Sequence, residues 1–393
     1  MAIRIYHQVG HNATWNIEML KEGCGDGLIF SPVHQQKERI EELESKLKVR
    51  AIFDPQYYLP NSQKRKLQSY PFFPETLSGG FKTVDFPLIA LESAKLCVAF
   101  QIDQGFEKII IPARFIDEMI TDYIERQEEY TVRPFLDALH QSGTDKPIFL
   151  TLPVTSAMVE DKGFRTNLLN WVTGFPEISG IYILVSDERA TKQVQSEKYL
   201  EAYLDLLVEL TKVDLGLIVG HTNTESLLFS LIDGAILTFG SFENTRMFSI
   251  DKFIESDEDR RGPKARIYLP GLLNWVLFSQ AVELRKEAAD IWKQIYMPTA
   301  HAEEVFAAKA EPHFNQPPLY KHHFECFYSQ IQELSQLDVP RRYEKLREWF
   351  QQAIALHDEI KNIPMDLDAH GNGAHIQAWL NVLNRFYRNY LKA

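Results

Sequence analysis

Cysteine is scarce in this chain of 393 residues: Cys24, Cys97 and Cys326 are odd in number and far apart. That excludes a disulfide framework, and the lack of any CxxC pair excludes a zinc knuckle. It fits a reducing compartment, and cytoplasm is the expected location. No run approaches 18 uninterrupted apolar residues, so no spanning helix is expected. The segment from Met1 to His7 runs straight into a strand-like stretch, without the apolar core and cleavage site of a signal peptide. Glycine and proline number 19 each, too few for a collagen- or mucin-like chain. Positive charge is the minority, 42 basic against 54 acidic residues for a net −12. A bare electrostatic grip on nucleic acid or anionic membrane is therefore not expected, although a local basic patch leaves nucleic acid open as a partner. There is no fixed repeat period. There is also no P-loop, no GxGxxG after a strand, no HExxH and no GxSxG. These absences exclude ordinary P-loop NTPases, Rossmann dehydrogenases, zincins and α/β-hydrolases.

What is present is apolar: 45% of residues are hydrophobic and 12% aromatic, enough to bury a large core. Short β-rich runs recur at 3–8, 27–31, 49–54, 107–112, 147–152, 180–185, 214–220 and 234–239. Several are apolar at nearly every position, the mark of strands buried on both faces in a parallel sheet. Between most of them lie segments with apolar residues three and four apart, at 36–47, 116–141, 157–173, 197–212 and 223–232. Thr14 and Thr222 are candidate helix caps. Eight strands alternating with helices is the chain order of a TIM-like (β/α)8 barrel. A doubly wound open sheet is the competing architecture.

Two departures break that order. Residues 55–106 form a long insertion after strand three, rich in Pro and aromatics and with its own helix at 87–100, expected to lie over one end of the barrel. Residues 250–265 are charged and turn-rich and read as an exposed loop. A helix pattern resumes at 272–295, the expected closing helix of the barrel. The expected division is a barrel over 1–296 and a helical C-terminal domain over 297–393. Helices are expected near 319–335, 341–361 and 375–391.

In such a barrel the site is built from loops after the C-terminal strand ends. Those ends present His7, Gln8, His11 and Asn12; Ser31 and His34; Asp54; Arg114; Thr151 and Thr155; Ser186, Asp187 and Glu188; His221 and Asn223; and Ser241, Glu243, Asn244 and Arg246. Asp54 closes an apolar strand and is followed by Pro55, a setting that raises a carboxyl pKa and suits a general acid or base. Asp54, with His7 or His221, is the candidate proton-transfer or nucleophilic group, and Asp187 a second carboxylate across the rim. Each has a plainer reading as a cap, a loop ion pair or a satisfied core residue. Gly220-His221-Thr222-Asn223 and Gly240-Ser241 are small-residue turns after the last two strands, where many barrels hold phosphate on backbone N–H groups. Gly220, Thr222, Asn223, Gly240, Ser241 and Asn244, with Arg246 as a bidentate contact, are the candidate anion site. The plainer reading is that the glycines only make tight turns. His11 and His34 are residue types that ligate metals, but no set of three converging ligands can be read, so no metal site is assigned and the cofactor is left open.

The expected function is a barrel enzyme acting on a phosphorylated or nucleotide-like small molecule. The alternative is a non-catalytic barrel serving as a subunit of a larger assembly, with 297–393 as the surface that docks a partner protein.

Overall fold

The computed structural model describes residues 2–78, 86–187, 189, 191–255, 262–308 and 310–392. Eight parallel strands carry the chain: β1 (Arg4–Gln8), β2 (Gly27–Phe30), β3 (Ala51–Phe53), β4 (Ile109–Ile111), β5 (Ile148–Thr155), β6 (Gly180–Ser186), β7 (Gly216–Val219) and β8 (Ile236–Gly240). Their order is β3-β2-β1-β8-β7-β6-β5-β4, every pairing parallel, with helices around the sheet. This is the (β/α)8 arrangement rather than a doubly wound open sheet.

The ladder is interrupted only between β3 and β4, and two devices bridge it. The Glu107 N–H donates to the Ala51 carbonyl at 2.8 Å. The Gln101 side chain, from the helix Phe86–Asp103, accepts from the Ile110 N–H at 2.8 Å and donates to the Ile110 carbonyl at 3.0 Å. One amide thus stands in for a strand neighbour and satisfies an edge that would otherwise be unpaired. That helix lies within the insertion 55–106.

Register fixes which side chains enter the barrel. Tyr6 lies opposite Gly27 and Thr238, and Gln8 opposite Ile29 and Gly240, so these residues share the inner face. Ile52 and Asp54 continue it on β3, and Thr151 and Tyr182 on β5 and β6. The Phe149 ring fills the lower interior against Gly180 and Gly216, where an added Cβ would come within 2.4 and 2.8 Å of it. The interior is therefore packed below and polar above.

The chain after β8 departs from the expected order. Only one helical turn (Glu243–Arg246) follows the strand, and the loop then leads to an antiparallel hairpin, β9 (Arg266–Leu269) and β10 (Asn274–Leu277). The pattern at 272–295 is not the closing helix: it begins in this hairpin and continues as two short helices, Phe278–Glu287 and Ala289–Ile295. The place over β8 and β1 is taken by the helix Pro317–Ser335. Its Phe324 packs on His7 and Phe239 with ring centroids 4.7 and 5.0 Å apart. Helices Val339–Ile360 and Ile376–Phe386 complete the C-terminal helical region. The last of these docks on the barrel helix Glu197–Lys212, with Trp379 Nε1 donating to the Val194 carbonyl at 2.9 Å and Arg385 paired with Glu201. One apolar cluster runs from Ile3 to Phe386, so packing is continuous across residue 297. Thr14 lies inside the first helix, Ala13–Lys21, and Asn12 occupies its cap position. Among the described residues no helix is long and apolar enough to cross a membrane.

Candidate functional site

Asp54 is fully buried on the inner face at the end of β3. Gln56, in the left-handed region at φ 58°, turns the chain back so that its N–H donates to Asp54 Oδ1 at 3.1 Å. The Tyr58 hydroxyl then lies 3.0 Å from each Asp54 oxygen. Burial pushes the Asp54 carboxyl up to about 7, against the pull of these donors and of Lys252. His221, at φ 52°, is the other rim residue in the left-handed region. Non-glycine residues held there mark over-determined, often functional, backbone.

Lys252 links Asp54 to two histidines in the mouth. His221 Nδ1 lies 3.4 Å from Lys252 Nζ. Lys252 comes from the turn Ile250–Phe253, anchored by the Ser62 hydroxyl donating to the Phe253 carbonyl and by Phe253 packing on Tyr58. Burial lowers the Lys252 amine to about 7, offset by attraction to Asp54. His34, behind β2, has neither ring nitrogen hydrogen-bonded. Burial holds both His34 and His221 well below the usual histidine value, and the positive Lys252 adds to this. Around these groups Gln8 Nε2, Ser31 Oγ and Thr151 Oγ1 are also buried without partners. Buried polar atoms are normally paired, so this many at the top of one barrel describe a place built to be polar. Tyr58, Phe248 and Phe253 roof it. Phe248 is also a wall of an open cleft of about 1100 Å³ beside the ends of β5 and β6.

His7 is not at this mouth. It lies on the outer face of β1, Nε2 2.8 Å from the Cys24 carbonyl and Nδ1 3.3 Å from Asn16 Nδ2, with burial lowering its pKa to about 4. The reason is strand parity: Tyr6 and Gln8 point inward, so His7 faces the helices. Asp187 does not meet Asp54 either. Arg189 holds it at 2.7 Å and holds Glu225 at 3.2 Å, all three side chains less than a tenth exposed. Glu188 lies outside the described residues.

The small-residue turns serve packing. A Cβ on Gly220 would come within 2.4 Å of the Tyr182 ring, and one on Gly240 within 2.2 Å of Thr245. The Thr222 hydroxyl donates to the Thr238 carbonyl at 2.8 Å. The Asn223 N–H, the amide an incoming anion would want, donates to Glu225 Oε1 at 3.1 Å. Asn244 is exposed, and Ser241 Oγ is buried without a partner. Arg246 is different. Its guanidinium lies 4.1 Å from the centre of the Trp275 ring, and Nε and Nη1 are buried with no acceptor. Trp275 Nε1, Asn274 Nδ2 and His323 Nδ1 are likewise unpartnered, and the His323 ring packs on Trp275 at 4.5 Å. A buried cation among unmet nitrogens is electrostatically incomplete and suited to an oxyanion.

Among the described residues no three His, Cys, Asp or Glu side chains group as metal ligands. Sequence reasoning did not select Lys252, Tyr58 or Tyr182 as site residues. For Lys252 the available signal was its position in an aromatic-flanked turn, Phe248 to Phe253, just beyond the last strand. No family model matches this chain, and no curated protein is similar to it.

Proposed function

We propose that the chain is a (β/α)8-barrel enzyme performing general acid–base chemistry on a phosphorylated or nucleotide-like small molecule in the barrel mouth. The observation that carries this reading is the convergence of Asp54, His34, His221 and Lys252 among unpartnered polar atoms at the C-terminal strand ends. Asp54 and His221 move protons there. Asp54 is raised to about 7, which suits a general acid at ordinary pH, and the lowered value of His221 keeps it neutral and able to accept a proton. Arg246, beyond the rim turn that carries Ser241 and Asn244, is the contact for an anionic group of the ligand.

The experiment is a thermal-shift panel of nucleotides and sugar phosphates, each beside its dephosphorylated counterpart, followed by a turnover assay on every hit. A phosphorylated compound that raises the melting temperature and is chemically converted supports the reading. A panel without conversion favours the second reading, a non-catalytic barrel whose helical region 297–393 docks a partner protein. Tyr58 favours that second reading, because it sits directly on Asp54 and covers it.

A further inference from the structure

Lys252 differs from the buried or half-buried lysines Lys48, Lys66, Lys108 and Lys192 in having no oxygen partner among the described residues. Lys48 donates to Gln104 Oε1 at 2.7 Å and Lys66 to the His34 carbonyl at 2.7 Å, while Lys108 and Lys192 are paired with Glu107 and Glu243. Among the described residues Lys252 meets no carboxylate within ion-pair distance, and its hydrogen-bonding neighbour is the ring nitrogen of His221. Its stem lies against Phe248, the amine 6.0 Å from the ring centre, and the residue is only partly exposed. The titratable groups around it are Asp54 from the end of β3, His34 from behind β2 and His221 from behind β7. An amine placed so, with no counter-ion and beside a proton acceptor and a carboxylic acid, is set up as a nucleophile rather than as a surface charge.

We propose that Lys252 forms a Schiff base with an aldehyde or ketone group of the ligand. This rests on the reading of the mouth as the reaction site and narrows the substrate class to carbonyl compounds. The Lys252 nitrogen lone pair attacks the carbonyl carbon, a C–N bond forms, and the C=O π pair moves to oxygen, which takes up a proton. That proton comes from the nitrogen, relayed by His221 Nδ1, which takes it from the nitrogen and gives it to the oxygen. Asp54, in its acid form, protonates the carbinolamine hydroxyl, which leaves as water as the C=N bond forms, and the proton left on the nitrogen returns to the Asp54 carboxylate. The sum is amine plus carbonyl giving imine plus water, and hydrolysis reverses it, so no oxidant or reductant enters. The burial that lowers the amine to about 7 leaves about half of it neutral at that pH, against roughly one part in a thousand or less for an ordinary lysine.

The test uses glycolaldehyde at limiting concentration with sodium cyanoborohydride, which reduces any imine to a stable secondary amine. Adducts on the full-length protein are mapped by peptide mass spectrometry. Lys286 is the internal reference, being exposed and held above the usual lysine value by Glu287. At pH 7 Lys252 is expected to label at least about tenfold faster than Lys286, with a rate that levels off above about pH 7 while that of Lys286 keeps climbing. Asp54→Asn should slow Lys252 labelling severalfold and leave Lys286 unchanged. Losing the Asp54 charge alone would make more of the amine neutral and speed it. Labelling of Lys252 no faster than Lys286, or a profile still rising above pH 9, overturns the imine. If that happens while Asp54→Asn still abolishes turnover of a panel ligand, the imine has failed and the acid–base site stands. If Lys252 labels as expected and Asp54→Asn leaves turnover intact, the acid–base reading has failed instead.

Discussion

Two regions of this molecule bury histidines and treat them oppositely. In the outer shell, His7, His322 and His357 lie between strands and helices, and each has an acceptor at hand. His7 Nε2 is 2.8 Å from the Cys24 carbonyl, His322 Nε2 is 2.9 Å from that of Tyr268, and His357 Nε2 is 3.3 Å from that of Leu272. In the mouth, His34 has no partner at either nitrogen, while His221 pairs with the Thr245 backbone and turns Nδ1 towards the Lys252 amine. Burial lowers the pKa in both places. A displaced pKa therefore does not separate structure from chemistry here; the state of the hydrogen-bond valences does. A shell histidine completes a donor–acceptor pair, which stabilises the fold by about 1 kcal/mol. His34 in the mouth leaves its valences open, which costs stability and is useful only if something else fills them.

The largest expected effect tests that difference directly. Asp54→Asn keeps the shape and the oxygen that accepts from Gln56 and Tyr58 but removes the titrating group. Turnover of a converted ligand should fall by roughly two to four orders of magnitude, the usual contribution of a positioned acid–base group. The melting temperature should hold or rise above pH 7, because a buried carboxyl no longer has to ionise. His322→Ala in the shell should do the reverse, lowering stability by about 1–3 kcal/mol while the folded fraction turns over normally. Full activity with a lowered melting temperature in Asp54→Asn would return Asp54 to the structural class and erase the distinction.

Acid should separate Asp54 from the buried histidines of both regions more gently. Burial holds His7, His322 and His357 at about 4 and His375 at about 3 in the fold, against about 6.5 unfolded. Between these values the unfolded chain binds more protons, so stability is present above about pH 6.5 and is lost as pH falls towards 4, by up to about 3 kcal/mol for each. Asp54 has the opposite sign. Its carboxyl is raised to about 7, so the fold binds the extra proton and gains stability as pH falls from 7 to 4. These four histidines, with His34, His221 and His323 displaced in the same direction, outweigh one aspartate, so chemical denaturation should show net loss between pH 6.5 and 4. The loss should be steeper in Asp54→Asn and shallower in His7→Gln. Identical slopes in the three proteins would mean that neither Asp54 nor His7 carries the linkage.

The barrel was legible from sequence because its signal is local. A parallel strand buried on both faces reads as apolar at successive positions, and even the three-residue strands Ala51–Phe53 and Ile109–Ile111 carry it. Asp54 was legible as an acid closing such a run. His7 was not, because strand parity is settled by register with Gly27 and Thr238, which only the paired sheet displays. The second hairpin strand, Asn274–Leu277, read as the start of a helix because its apolar residues also fit helical spacing, although Pro270-Gly271 just before it is a turn signal. Lys252 came from a loop that reads as exposed. Its approach to Asp54 depends on Ser62 holding the Phe253 carbonyl across 191 positions of sequence, and no local pattern encodes such a contact.

The smallest expected effect concerns Arg246, which puts the cost of open valences on a single residue. Its Nε and Nη1 have no acceptor, and the Trp275 face returns only part of the hydration lost on burial. If the pocket awaits an oxyanion, sulfate or phosphate should raise the melting temperature beyond what chloride does at matched ionic strength. Sulfate also stabilises proteins by exclusion from their surfaces, so the informative quantity is the increment that saturates. At about a hundredfold excess over Kd that increment is about 2.7 kcal/mol, or a few degrees for a chain of this size. Arg246→Met keeps the stem packed on Trp275 and removes the charge. In chloride it should melt at or above the wild type, because an unpaired buried cation has been replaced by an apolar group. In sulfate it should melt below the wild type, because the increment is gone. That crossing is what a site held open at the expense of stability requires. An increment that survives in Arg246→Met removes Arg246 from the anion contact, and a variant less stable in both salts assigns the guanidinium to the packed shell with His7 and His322.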